Sequence, residues 1–486
     1  MLLPLLRAIV AIANLCLIAA TRNLWFGDSG FPMIPLLGGL TDVPLWIDNT
    51  LATLLVSSLL LLAAVSIRDV VYFRSTSPAP ESALSPLGRG LGRGAAVRLT
   101  CVLIVIAGTC LALLNQHRLQ PWLYHLMLLC PILALDGRLR PGSSTGNVPS
   151  EGAERPGGRG WSEERAKPRF APSQFCRGFL RRLSPAPATL IVLLIASVYF
   201  WSGISKCDRA FVEGHGQTFV SAIASVLGLS LKFWSPEQRS TAAAMLPIGE
   251  LLVAMSLLVP KTRRLGLWAS LLMHGLLITA VGPWGMDQRP GVMLWNVLFI
   301  SQNVLLLRYL TGLPPAREAV QQCDADKAPA TRSLKFACCV VAAAAIAPLL
   351  RFGGCFDNWP SWAVYTAGNE HAYVLIAEDS VDRLPPDIRR FVQPRAMNDG
   401  WSWLRIDLWS IASVDAPLYP QKRFFVACGL AISQFPGMQH SVRILTESSA
   451  DPLTGQRTTH SYAGEEAMQD LATEFRLNLQ PRAFED

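Results

Sequence analysis

Thr189-Leu-Ile-Val-Leu-Leu-Ile-Ala-Ser-Val-Tyr199-Phe-Trp-Ser-Gly203-Ile-Ser205 is a predominantly apolar run that ends on Lys206, and the mixed segment Cys207-Asp208-Arg-Ala-Phe-Val-Glu213-Gly214 follows it. A run of that length is close to what an α-helix needs to cross a bilayer. A lysine at its end is costly unless it snorkels to water, pairs or works. Whether Lys206 is an anchor or a functional amine governs the reading of the rest of the chain.

The surrounding composition is that of a membrane protein. Of 486 residues, 51% are hydrophobic and 16% charged, whereas soluble domains carry about 25% charged residues. Nine runs qualify as spans, at about 3–20, 47–67, 97–114, 121–135, 188–205, 241–260, 266–283, 291–310 and 334–352. The fourth is short and opens on Pro121, a residue suited to a first helical turn. An N-terminal signal peptide is not favoured, because Arg7 interrupts the apolar stretch and no small-residue cleavage site follows.

Charge orients the spans. The net charge is +8, and residues 353–486 carry 17 acids against 11 bases, which leaves +14 for residues 1–352. The bases concentrate in alternate loops: 68–96, 136–187 with ten Lys/Arg, 261–265 and 311–333. By the positive-inside rule this gives a cytoplasmic N-terminus, an odd number of spans and an external C-terminal region. Bases lying between apolar spans point to lipid headgroups and away from nucleic acid. Residues 136–187, rich in Gly, Pro, Ser, Arg and Glu, read as a disordered cytoplasmic loop, and residues 74–95 as a second flexible loop.

The expected architecture is therefore an all-α polytopic membrane bundle of about nine helices with a small C-terminal α+β extramembrane domain. Residues 1–135 form a first membrane half, 136–187 the loop, 188–352 a second half and 353–486 the outer domain. In the last, Tyr373-Val-Leu-Ile-Ala, Trp403-Leu-Arg-Ile-Asp-Leu-Trp409 and Val442-Arg-Ile-Leu-Thr read as strands. Residues 421–433 and 464–477 read as helices, and Asp451-Pro-Leu-Thr-Gly455 as a turn.

Polar residues in membrane spans usually face the bundle interior. Glu250 lies mid-span in Pro247-Ile-Gly-Glu-Leu-Leu, His274 in Leu-Leu-Met-His-Gly, and Asn296 follows Trp295. Glu250 and His274, on adjacent antiparallel helices, could pair, either as structural glue or as a proton-handling or binding site. His117, Arg118 and Trp122 read as membrane-interface residues and Tyr124 as part of an aromatic belt. No metal-ligand spacing is present. Most of the eleven cysteines read as small hydrophobes. A disulfide among Cys207, Cys355 and Cys428 is left open.

The pattern Tyr199-Phe-x-x-Gly203-x-x-Lys206-x-Asp208-x-x-Phe211-Val-Glu213-Gly214 resembles the lysine segment of vitamin K-dependent gamma-carboxylases and of bacterial proteins with the horizontally transferred transmembrane domain. The resemblance covers roughly residues 1–310 and is specific only around Lys206. It implies that Lys206 deprotonates a quinol, with His274 near a membrane histidine of that family. Residues 116–124 and Trp295-Asn296 are similar to segments of the bacterial relatives. No propeptide- or glutamate-binding segment is recognisable.

DoxX- and MauE-like membrane proteins, associated with redox chemistry and quinones, also carry helix-embedded Glu and His. Two functions follow from these likenesses. One is a carboxylase-like membrane protein acting on or binding a quinol or other lipophilic small molecule, with Lys206, Glu250 and His274 catalytic and Asn296 and Trp295 at the cofactor. The alternative is a non-enzymatic, redox-associated subunit, or a scaffold that engages a protein partner through 353–486. Either would sit in the lipid bilayer of a bacterial plasma membrane.

Overall fold

The computed structural model describes residues 2–26, 30–75, 93–135, 187–311, 331–397 and 399–482. The expectations for 136–187 and 74–95 fall almost wholly outside them.

Among the described residues, eight helices are long and apolar enough to cross a membrane. They are α1 (Leu2–Ala20), α2 (Leu45–Ser75), α3 (Arg93–Leu114), α5 (Pro187–Ile204), α7 (Pro236–Leu258), α8 (Arg263–Val281), α9 (Pro290–Thr311) and α10 (Arg332–Ile346, prolonged by a 3-10 segment to Gly353). Between α3 and α5 lies the shorter apolar helix α4 (Pro121–Leu133), with Pro121 in its first turn. Its 13 residues rise only about 20 Å, so it is too short to meet lipid along a whole crossing. Instead α4 is enclosed by α1, α3, α5 and α10, and Leu123, Leu126 and Leu129 are fully buried.

Helix α5 packs along α7, which lies beside α8. Helix α8 meets α9, α9 meets α1, and α1 and α3 flank α2. One face of the bundle carries the C-terminal sheet, and contacts at the helix ends identify it. Arg118 Nε, just before α4, donates to Leu24 O beyond α1 (2.8 Å). Arg482 Nη1, near the C-terminus, reaches Asp48 in the first turn of α2 (2.7 Å). At the opposite face, Arg7 donates to Leu133 O and Leu135 O after α4 (2.7 Å each), and Arg264 to Leu310 O in α9 (2.6 Å). The helices thus alternate in direction, with α4 completing one crossing of the protein interior.

Beyond α10, five antiparallel strands form one sheet in the order β2-β3-β1-β4-β5, with β1 at His371–Ala377, β2 at Val392–Pro394, β3 at Trp401–Leu404, β4 at Val442–Glu447 and β5 at Thr459–Ala463. Val374 pairs with Leu404 on one side and Ile444 on the other. These three residues are buried, on the face covered by helices α12 (Lys422–Ser433) and α13 (Gly464–Ala472). One expectation needs correction. The stretch Trp403–Trp409 is not a single strand: it stops at Leu404, and Ile406–Val414 is helix α11. The buried residues Ile406, Trp409, Ser410 and Val414 fall at helical spacing. The 464–477 helix ends at Ala472.

The segment 115–120 also departs from expectation. His117, Arg118 and Trp122 are 0%, 2% and 4% exposed, so they are not lipid-facing anchors. They form the seam between bundle and sheet. His117 Nε2 lies 2.9 Å from Pro417 O. Arg118 and Arg482 share the carboxylate of Asp48. Gln116 accepts from Arg423 Nε (2.8 Å) and donates to Asn478 O (2.8 Å). Trp122 packs on Trp25, with ring centroids 5.3 Å apart.

Candidate functional site

The polar interior is built on four helices. Tyr199 and Ser202 share one face of α5 at i and i+3, and Lys206 follows in the turn that closes the helix. Helix α7 supplies Glu250, α8 supplies Ser270 and His274 one turn apart, and α9 supplies Asn296, Phe299 and Asn303 along one face. Close approach of α5 and α7 depends on Gly203. A Cβ there would lie 2.9 Å from Leu251 Cγ and 3.1 Å from Pro247 O, so the two backbones meet where only glycine fits.

Lys206 does not snorkel. Its Nζ is 2.7 Å from Glu250 Oε1, 3.0 Å from Oε2 and 2.7 Å from Ser202 Oγ. The two charged side chains are 7% and 12% exposed. An ammonium has three donors, and here a bidentate carboxylate and a hydroxyl take them up. Close geometry and the extra hydrogen bond to Ser202 offset the desolvation cost of such a pair without making it a large source of stability. Removing one partner strands the other.

Glu250 does not hydrogen-bond His274, because the carboxylate is turned toward Lys206. His274 belongs to a second chain of hydrogen bonds. Asn296 Nδ2 donates to Val292 O (2.9 Å), which leaves Asn296 Oδ1 as the acceptor facing His274 Nδ1 (2.8 Å). The tautomer that satisfies this network carries its proton on Nδ1. Nε2 then accepts from the Tyr199 hydroxyl (2.8 Å), whose oxygen accepts from Asn303 Nδ2 (2.9 Å). Asn303 Nδ2 also meets Ser270 Oγ at 2.9 Å. Every nitrogen of His274 is therefore engaged.

The ring of Trp295 reaches this cluster through Phe299. It stacks on Phe299 (5.8 Å, 18°), and Phe299 in turn stacks on His274 (5.1 Å, 21°) and on His125 of α4 (5.1 Å, 29°). His125 Nε2 faces Gln302 Oε1 at 3.3 Å, and its ring is capped edge-on by Trp362. Trp362 and Tyr365, both at positive φ (61° and 60°), hold the loop that brings the sheet region onto the bundle.

The structure thus brings Lys206 together with Glu250, and His274 together with Asn296, as two neighbouring clusters. Sequence reasoning missed Tyr199, Ser202, His125, Ser270, Gln302 and Asn303. The rule that selected Glu250 and His274 also applies to His125, Gln302 and Asn303, so a signal for those three was present. Tyr199, Ser202 and Ser270 are common in apolar helices and carry no such mark.

Cys207 and Cys355 are exposed free thiols and Cys428 is a buried one, so none of the three forms a disulfide. Among the described residues no three His, Cys, Asp or Glu side chains converge on a point that could hold a metal ion. A polar cleft of about 820 Å³ opens between residues 210–221 and the sheet, lined by Glu213, His215, His371, Tyr373, Glu447 and Arg457 among others. Its lining does not include Lys206, Glu250 or His274, so the paired interior groups lie apart from this cleft.

Residues 184–283 match the family model of methylamine utilisation protein MauE. The match spans α5 to α8, the stretch that contains Lys206, Glu250 and His274, and stops before Asn296. No curated protein and no solved structure matches the chain. With eight long apolar helices among the described residues and similarity to a membrane family, the chain is an integral membrane protein. The MauE side of the resemblance gains this support, and the carboxylase side gains none.

Proposed function

We propose that the protein is a MauE-like, non-enzymatic membrane subunit that holds its C-terminal sheet region rigidly at the membrane face for a redox-associated protein partner. The observation that carries this reading is the saturation of the Lys206 amine by Glu250 and Ser202. A general base must have a nitrogen free to take the substrate's proton, and this nitrogen is committed. The polar seam at Gln116, Arg118, Arg423 and Arg482 favours the same reading, because it makes sheet and bundle one platform.

The test is cross-linking of the full chain in its native membrane, followed by purification and mass spectrometry, alongside a Lys206→Met variant that still inserts. A stoichiometric protein partner recovered with both chains is the expected result. Absence of a partner, together with quinol-dependent turnover that disappears in Lys206→Met, would overturn it.

The second reading is the binding of a lipophilic ring at this site. The stack of Trp295, Phe299, His274 and His125 favours it, since a flat ring could extend that stack. We also infer that the sheet face is the outer face of a plasma membrane, because helix ends bearing Lys261, Arg263, Arg264, Arg308, Arg332 and Lys335 lie on the other side. Exposed Cys355 should then react with a membrane-impermeant thiol reagent applied to intact cells. Labelling only after permeabilisation would reverse the orientation.

A further inference from the structure

Helix α6 (His215–Val226) lies across the sheet-face ends of α7 and α8. Its buried residues are Gly216, Phe219, Ala222 and Ala224. A Cβ on Gly216 would sit 2.9 Å from Ala243 Cβ, and Phe219 and Ala222 cluster with Ala280 and Val281 at the end of α8. From α6 the chain runs Leu227-Gly-Leu-Ser-Leu-Lys232-Phe-Trp-Ser235 into α7.

This connection displays its apolar side chains. Phe233 is 92% exposed, Leu227 59%, Leu229 57% and Trp234 37%. It is nonetheless built to a fixed shape. Gly228 takes a positive φ of 69°, and Leu229 N donates back to Ala224 O at 2.8 Å. Arg239 Nη2 holds Leu231 O at 2.8 Å. Ser235 and Gln238 form a capping box that fixes the start of α7, with Pro236 in its first turn. A loop pinned on both sides that still points a phenylalanine and two leucines away from the protein requires an apolar surround.

We propose that Leu227–Trp234 is an interfacial anchor, inserted at the headgroup–acyl boundary of the leaflet on the sheet side, with Lys232 at the level of the lipid phosphates. The occupant is the bilayer, because the segment leads directly into a spanning helix. Helix α7 begins directly after Ser235, its first turns from Glu237 to Thr241 are polar, and beyond them its exposed Met245, Ile248 and Leu252 form an apolar spanning surface. On the same face Trp284, 71% exposed, follows the end of α8. Leucine and aromatic side chains interleaved with lysine suit this zone, where amphipathic rings and long cations are both accommodated. The anchor clamps α6 to the membrane plane, and α6 supplies Gln217, Thr218 and Ser221 to the wall of the polar cleft. The cleft is thereby set at headgroup depth.

The experiment places the photoreactive residue benzoylphenylalanine at position 233 of the full chain. The control position is Met397, 67% exposed in the connection between β2 and β3, at the end of the sheet away from the bundle. Both proteins are irradiated in phosphatidylcholine–phosphatidylglycerol nanodiscs and in native membranes, and adducts are read by mass spectrometry. Lipid adducts at 233 in both settings, with only background at 397, are expected. Equal yields at the two positions, or a protein adduct in place of lipid at 233 in native membranes, would overturn the proposal. Phe233 makes no core contact that the bulkier ring would disturb, so loss of folding does not confound the result.

Discussion

A lysine that ends an apolar helix usually extends its stem toward water, and Lys206 turns inward instead because Glu250 and Ser202 meet it there. The polar identities were legible in the sequence, since burying an ionisable group within a bilayer demands a partner. The pairings were not legible. Helix rotation decides whether Glu250 faces α5 or α8, and periodicity of one helix says nothing about the azimuth of its neighbour. His117 allows a test at this scale. Burial, opposed by its bond to Pro417 O and aided by Arg118, pushes its pKa down from 6.5 to about 4. The unfolded chain takes up the proton as pH falls through 6.5, and the folded chain does so only near 4. Stability contributed by neutral His117 is thus complete above 6.5 and lost as pH falls from 6.5 toward 4. His117→Gln keeps a donor for Pro417 O and should flatten the pH dependence of thermal unfolding across that window. An unchanged slope would mean that the imidazole is solvated.

At the level of elements, the contact of α5 with α7 rests on Gly203. Gly203→Val forces a branched side chain into Leu251 and the Pro247 carbonyl, and overpacking of this kind costs about 1–3 kcal/mol. Gly275 in α8 is the comparison. A Cβ there meets nothing within 4 Å, so Gly275→Ala should be neutral or stabilise by up to about 1 kcal/mol through helix propensity. Melting temperatures of the two variants in nanodiscs decide the matter, and equal effects would remove the close-approach argument. The long spans were readable because about twenty apolar residues have few other uses. Helix α4 was readable through Pro121, but its enclosure by four neighbours was not, since a short apolar run looks alike whether lipid or protein surrounds it. The Trp403–Trp409 stretch was misread because alternation and helical spacing overlap in a run of seven residues.

Across the whole molecule, sheet and bundle are joined by buried charge. Asp48, 2% exposed, holds both Arg118 and Arg482, and Asn478 and Arg482 bond the backbone at Leu36 and Met33 (3.2 and 2.8 Å). Arg482→Met leaves Asp48 with Arg118, so the fold should persist while the strap loosens. Faster amide exchange at residues 33–36 and 113–116, with α5 and α7 unchanged, is the expected pattern, whereas uniform protection would show that the seam does not depend on Arg482. The central claim remains that Lys206 and Glu250 exist for each other inside the bundle. Its most direct test is a double-mutant cycle on unfolding of the full chain, with Lys206→Met, Glu250→Gln and both together. Each single variant should lose several kcal/mol, about 3–5 where a buried charge is stranded. The double variant should be less destabilised than the two losses combined, by about 1–3 kcal/mol of coupling. Losses that simply add, or single variants as stable as the parent, would contradict the account.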